Sequence, residues 1–123
     1  MRYMLLIYLE EQALGETERM ECYVESAQLA QDLHERGQYL AAAPLHPTST
    51  ATSIRVRDGK RLVTDGPFAE TREQLGGYFL VQANNLDEAM GIAARIPIAR
   101  KGTVEIRPVI EVAGLPTAKI LMR

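Results

Sequence analysis

The chain lacks the residues that mark several common classes of protein. It has 123 residues, a single cysteine and no tryptophan. One cysteine excludes an internal disulfide and a cysteine-based zinc site, and it fits a reducing, cytoplasmic setting best. Lys and Arg are scattered and the formal net charge is -2, so no basic field would attract nucleic acid or an anionic membrane. We therefore expect no direct nucleic-acid contact and no membrane partner.

Long apolar runs and cofactor motifs are also missing. The apolar stretch at residues 2–9 is too short for a membrane span, has no small-residue cleavage site and is followed at once by Glu10-Glu11. No Walker loop, dinucleotide fingerprint, nucleophile elbow or zinc pattern is present. We expect no cofactor and no metal, and the N-terminal stretch predicts a buried first strand.

The patterns along the rest of the chain predict one α+β domain at residues 1–114, with a C-terminal tail at 115–123. Asp58-Gly59 predicts a type I′ hairpin turn, and Asn85 with Glu88 predicts a helix capping box. Apolar side chains recur about every two residues in the predicted strands and about every 3.6 residues in the predicted helices. The predicted order is β-α-β, a β-hairpin, then β-α-β, with strands at 2–9, 39–45, 49–57, 60–64, 76–83 and 102–112 and helices at about 18–36 and 86–96.

Two βαβ halves with a hairpin between them predict a ferredoxin-like split βαβ sheet. Two helices can cover one face of that sheet only. The other face keeps apolar side chains, from Leu5 or Leu6, Leu80 or Val81, and Ile106. An uncovered apolar face is an interaction surface, so we expect a homodimer that packs sheet against sheet.

Five segments of the chain carry a family resemblance. They are Met4-Leu5-Leu6-Ile7-Tyr8, Ala51-Thr52-Ser53-Ile54-Arg55, Thr64-Asp65-Gly66-Pro67-Phe68-Ala69-Glu70-Thr71, Glu73-Gln74-Leu75-Gly76-Gly77-Tyr78 and Val104-Glu105-Ile106-Arg107-Pro108. In this order they resemble the DGPF-domain branch of the YCII-related proteins. The resemblance implies a ferredoxin-like fold, a dimeric α+β barrel, and a pocket between sheet and helix lined by polar residues.

The same resemblance leaves the activity open. Some YCII-related proteins are regarded as small-molecule enzymes with a His-Asp pair, whereas DGPF-type members are commonly linked to extracytoplasmic-function sigma factors. The family histidine lies early in the first helix, where this chain has Met20 to Ser26 and no histidine. Three hypotheses remain: a lyase- or isomerase-like enzyme binding a small polar or anionic molecule, a non-catalytic accessory protein with a sigma-factor link, and a dimeric scaffold without ligand.

Asp65 and His46 are the candidate catalytic residues. A carboxylate at a strand end beside Gly66-Pro67 could act as a general base, or could accept backbone N–H groups in an Asx-type turn. His46, in a loop between Leu45 and Pro47, could assist as an acid/base group. Phe68 is expected to anchor the loop in the core.

Four more residues are candidate ligand contacts. Arg55 and Arg107 could clamp an anionic ligand, or could form a salt-bridge network with nearby acids. Glu70 and Glu73 could form a paired-carboxylate site, while Thr71 with Gln74 predicts the cap of a short helical turn. His34 and Cys22 are expected to be packed, structural residues.

Overall fold

The computed structural model of the protein describes residues 1–116, so most of the predicted tail at 115–123 lies outside the described residues. Within this range the fold is mixed α+β, as predicted. Three short 3-10 turns at Glu11–Ala13, Thr48–Thr50 and Pro97–Arg100 link the longer elements. The longer elements are β1 (Arg2–Leu9), α1 (Glu16–Glu35), β2 (Tyr39–Pro44), β3 (Thr52–Arg57), β4 (Lys60–Asp65), β5 (Gln74–Gln82), α2 (Leu86–Ala94) and β6 (Thr103–Pro108).

Four strands form the main sheet in the order β2-β5-β1-β6, and every neighbouring pair is antiparallel. In each βαβ half, the two strands are not neighbours with each other: β5 lies between β1 and β2, and β1 lies between β5 and β6. The two halves are therefore interleaved in one sheet. Neither helix in residues 1–116 combines the length and the apolar character that crossing a membrane requires.

One face of the sheet is covered by the helices and holds the core. Leu5 and Val81 have no exposed surface, and Leu33 of α1 is 1% exposed. Side chains alternate along a strand, so Tyr3 and Ile7 point to the same face as Leu5 and are also buried. Ile106 is paired with Leu5 and packs against this core. The expectation that Ile106 lies on the uncovered face was therefore wrong.

Neither helix of residues 1–116 covers the opposite face of the sheet. Its register pairs Met4 with Leu80 and Leu6 with Tyr78, and these four side chains are half-buried. At the β6 edge the same face carries Arg107, which is paired with Met4. We call this surface, made by Met4, Leu6, Tyr8, Tyr78 and Leu80, the open face.

The hairpin β3–β4 forms a separate two-stranded sheet. Its turn has positive φ at both Asp58 (51°) and Gly59 (73°), which confirms the predicted type I′ turn. Apolar side chains along the hairpin, Ile54, Val56 and Val63, are each more than half exposed. A lone hairpin is marginally stable in water, so this one depends on its surroundings.

Two local predictions around the hairpin were wrong. Phe68 is 74% exposed rather than a core plug, and the Arg55 guanidinium lies over its ring at 4.8 Å from the centroid. Thr71 caps no helix, because Gln74 is already the first residue of β5. Its hydroxyl donates to the Glu73 carbonyl instead. The local sequence at Thr71 matches a helix cap, but the pairing of β5 with β1 takes precedence there.

A candidate ligand-binding cavity

A cavity of about 540 Å³ lies between α1 and the β2 edge of the sheet. It exists because small residues face one another there. Helix α1 contributes Ala27 and Ala30, β2 contributes Ala42 and Ala43, and β5 contributes Gly76-Gly77. Pockets that bind small molecules are typically about 300–1,000 Å³. The gap between helix and sheet is therefore large enough for a ligand.

Polar side chains of α1 run along one wall of the cavity. Arg19, Tyr23, Ser26 and His34 all line it and follow one another at intervals of three, four or eight residues. That spacing places them on one side of a helix. The pattern was the available sequence signal for this site: polar and small residues recur on a side of α1 where a fully packed helix would carry large apolar ones.

A carboxylate anchors the loop that carries His46 at the cavity rim. Glu11 accepts hydrogen bonds from the Thr48 backbone N–H, at 3.1 Å to Oε2 and 3.2 Å to Oε1, and from the Thr48 hydroxyl. This holds the segment after β2 against the segment after β1. His46 and Glu11 both line the cavity. The anchored loop thus fixes an imidazole at the entrance.

Arg19 is the cationic side chain of the lining. It is half-buried, and its Nη2 donates to the Glu11 backbone carbonyl at 3.2 Å. Arg19 forms no ion pair with any carboxylate of residues 1–116. A guanidinium has five N–H donors. Most of those of Arg19 remain available to a molecule in the cavity.

Cys22 also lines the cavity but is poorly suited to act as a nucleophile. Burial, and then the nearby Glu25 carboxylate, raise the pKa of its thiol above the ordinary value. The thiolate is the reactive form of cysteine, so a raised pKa keeps the side chain protonated and inert. Cys22 packs against the core, as expected from its position on the helix.

The other side of α1 is fastened by ion pairs. Glu18 pairs with Lys101, Glu25 with Arg100 at 3.0 Å, and Asp32 with Arg95 at 2.5 Å. The three acids are seven residues apart, so they share one side of the helix. In each pair the hydrogen bond from the cation lowers the pKa of the carboxyl group below its ordinary value. One side of the helix is thus tied down, and the other borders the cavity.

Of the predicted site residues, only His46 lines the cavity. Asp65 is exposed at the end of β4, and the turn that follows is held by Ser53, whose hydroxyl donates to the Gly66 carbonyl at 2.8 Å. The Asp65 carboxylate accepts none of the hydrogen bonds found in residues 1–116. Both roles considered for it stay predictions.

The predicted ligand contacts are dispersed rather than gathered. Arg55 lies over Phe68 on the hairpin side, and Arg107 is at the edge of the open face. Glu70 is exposed, and Glu73 accepts a hydrogen bond from the Thr103 hydroxyl at 2.8 Å. In the described part of the chain these four residues form neither a clamp around the cavity nor a salt-bridge network. Among the described residues, no cluster of three or more His, Cys, Asp or Glu could hold a metal ion.

A model of the YCII-related domain family matches residues 1–113. The chain belongs to the YCII-related family. It is also 42% identical over 76 residues to an uncharacterized protein of Rhizobium meliloti (strain 1021), a match that covers 60% of this chain and 61% of that protein. The match therefore spans about three fifths of the relative's length. In this YCII-related protein the cavity is built by the family domain itself, since all its lining residues fall within the matched range.

Proposed function

We propose that this YCII-related protein binds a small polar or anionic molecule in the cavity between α1 and the sheet. The observation that carries the proposal is the combination of an open volume of about 540 Å³ with Arg19, His34 and His46 in its lining. Cavities that are mostly apolar and contain a few convergent polar groups are the usual form of small-molecule sites.

Acid–base chemistry on the bound molecule would be of the lyase or isomerase kind. His46 is the candidate general acid or base, because it lies at the rim on a loop anchored by Glu11. Imidazole is the side chain suited to proton transfer near neutral pH. Asp65 would take part only if a second chain brought it to the cavity.

We further propose that the protein is a homodimer with a ferredoxin-like sheet in each protomer, joined through the open face as a dimeric α+β barrel. The strand order β2-β5-β1-β6 supports the ferredoxin-like interpretation. The half-buried apolar residues of the open face, Met4, Leu6 and Leu80 among them, support sheet-to-sheet packing.

The binding proposal is tested with three probes that share one ring system and differ in charge: naphthaleneacetate, naphthaleneacetamide and naphthylethylamine. Saturation-transfer NMR measures whether each binds the full chain. We expect at least one to bind, and we expect Ala42→Leu, which adds bulk inside the cavity, to weaken that binding. Ala69→Leu is the matched control, since Ala69 is exposed and outside the lining.

Two outcomes would contradict the proposal. One is that none of the three probes binds the wild-type chain. The other is that Ala42→Leu leaves binding as strong as Ala69→Leu does, which would place the probe elsewhere on the protein.

A further inference from the structure

We infer that the cavity selects molecules with a largely apolar body and a single carboxylate, and that Arg19 is the counter-ion of that carboxylate. The inference rests on the proposed function and names its ligand class. It depends on three features of the described lining. The walls are apolar, the Glu11 carboxylate is already hydrogen-bonded to Thr48, and the Arg19 guanidinium keeps most of its N–H donors free.

The walls of the cavity call for an apolar body. The sheet side presents Ile7, Leu9 and Phe79, and Leu14 and Ile98 contribute further apolar surface. Burying apolar ligand surface against such walls is favourable because it removes that surface from water. A small sugar or a polyphosphate would instead lose its hydration against these side chains without gaining hydrogen bonds.

The charged side chains of the lining favour a ligand with a single negative charge. Among the described lining residues, Arg19 and Glu11 carry the charged side chains other than histidine. Two donors of Thr48, its backbone N–H shared between both oxygens and its hydroxyl, already occupy the Glu11 carboxylate. Few of its acceptor sites therefore remain for a cationic ligand.

Arg19 has the complementary property. One of its N–H groups is directed to the Glu11 carbonyl, and it forms no ion pair within residues 1–116. A guanidinium binds a carboxylate through two parallel hydrogen bonds. One such cation balances one carboxylate, whereas a phosphate dianion would need further donors. The imidazole of His46, on the loop that Glu11 anchors, can add a hydrogen bond to the same head group.

The three naphthalene probes distinguish this inference from the parent proposal, with Kd measured by isothermal titration calorimetry. We expect the wild-type chain to bind naphthaleneacetate about tenfold more tightly than naphthaleneacetamide, since a charge-assisted pair is stronger than a neutral hydrogen bond. Naphthylethylamine should bind more weakly than the amide. In Arg19→Gln the preference for the carboxylate over the amide should disappear.

Arg36→Gln is the matched control, because Arg36 lies at the opposite end of α1 and outside the lining. It should keep the wild-type preference. Equal binding of carboxylate and amide by the wild-type chain would overturn the assignment of ligand class and leave the cavity as a binding site. A carboxylate preference that survives Arg19→Gln would overturn the role of Arg19. Absence of binding by all three probes would overturn both proposals. The wild-type comparison decides the ligand class even if Arg19→Gln folds poorly.

Discussion

Leu5 and Leu6 are neighbours on β1, yet they belong to two very different surfaces. Leu5 faces the helices and has no exposed area, while Leu6 lies on the open face and is only half-buried. The covered face is packed against α1, α2 and the Pro97–Arg100 turn, and it borders the cavity at the β2 edge. No element of residues 1–116 covers the apolar side chains of the open face. The described part of one chain therefore completes the candidate cavity but leaves the second face of its sheet uncovered.

The largest expected effect is on the covered face. Leu5→Ala should lower the free energy of unfolding by about 2–5 kcal/mol, because it leaves a hole in a closely packed core. Chemical denaturation followed by circular dichroism measures the change. Leu6→Ala is the matched control and should cost less at protein concentrations low enough to separate protomers, since its side chain is then partly in water.

The comparison would fail if Leu5→Ala cost no more than Leu6→Ala under those dilute conditions. That result would mean that the covered face is no better packed than the open one. A cost for Leu6→Ala that increases with protein concentration would instead fit a second copy lying on the open face.

The next effect concerns association rather than folding. Leu80→Lys places a charge in the centre of the open face, where Leu80 is paired with Met4. If two sheets pack there, the buried charge should convert a dimer into a monomer in light-scattering measurements at micromolar concentration. Leu86→Lys is the control, because Leu86 is 51% exposed at the start of α2. A monomeric wild-type chain, or a dimer unaffected by Leu80→Lys, would refute the proposed interface.

Much of the covered face could be predicted from sequence, since it depends on local patterns. The apolar run at residues 2–9 predicted β1, although as a strand buried on both faces, whereas its observed burial alternates. Asp58-Gly59 gives the observed hairpin turn, and Asn85 caps α2 by accepting the Glu88 backbone N–H at 2.9 Å. The predicted capping box is only half present. The Glu88 carboxylate accepts from Asn84 and Gln38 instead of reaching back to Asn85.

The candidate site could not be predicted in the same way, because it depends on residues distant in sequence. Glu11, Arg19 and His46 come to line one cavity only once α1 packs beside β2. The DGPF segment drew attention to Asp65, but that carboxylate lies on the hairpin side of the molecule and not in the cavity. The segment that most clearly indicates the family therefore lies apart from the candidate cavity. The small residues Ala27, Ala30 and Ala42 line the gap, but their size alone did not predict it.

The smallest effect tests whether charge helps to hold the covering helix in place. In the folded chain, Glu18 and Glu25 have lowered pKa values because Lys101 and Arg100 donate hydrogen bonds to them. Their unfolded values are near the ordinary one of about 4.3. A lowered folded pKa means that the stabilisation is present above the unfolded pKa and is lost as pH falls through the folded pKa.

We therefore expect the double variant Glu18→Gln with Glu25→Gln to melt slightly below the wild-type chain at neutral pH. The difference should shrink as the pH falls below about 4.3, where the carboxyl groups of the unfolded chain become protonated, and should vanish below the lowered pKa values of the folded chain. The effect should be small because both pairs are exposed to solvent.

The control is Glu21→Gln with Glu35→Gln, which removes the same charge from the same helix without breaking an ion pair found in residues 1–116. Equal shifts of Tm in the two double variants would show that helix charge, and not the pairing with Arg100 and Lys101, sets the pH dependence. If the double variant Glu18→Gln with Glu25→Gln lowered Tm more than Leu5→Ala does, the comparison would be reversed. Charge rather than packing would then be the main attachment of α1 to the covered face.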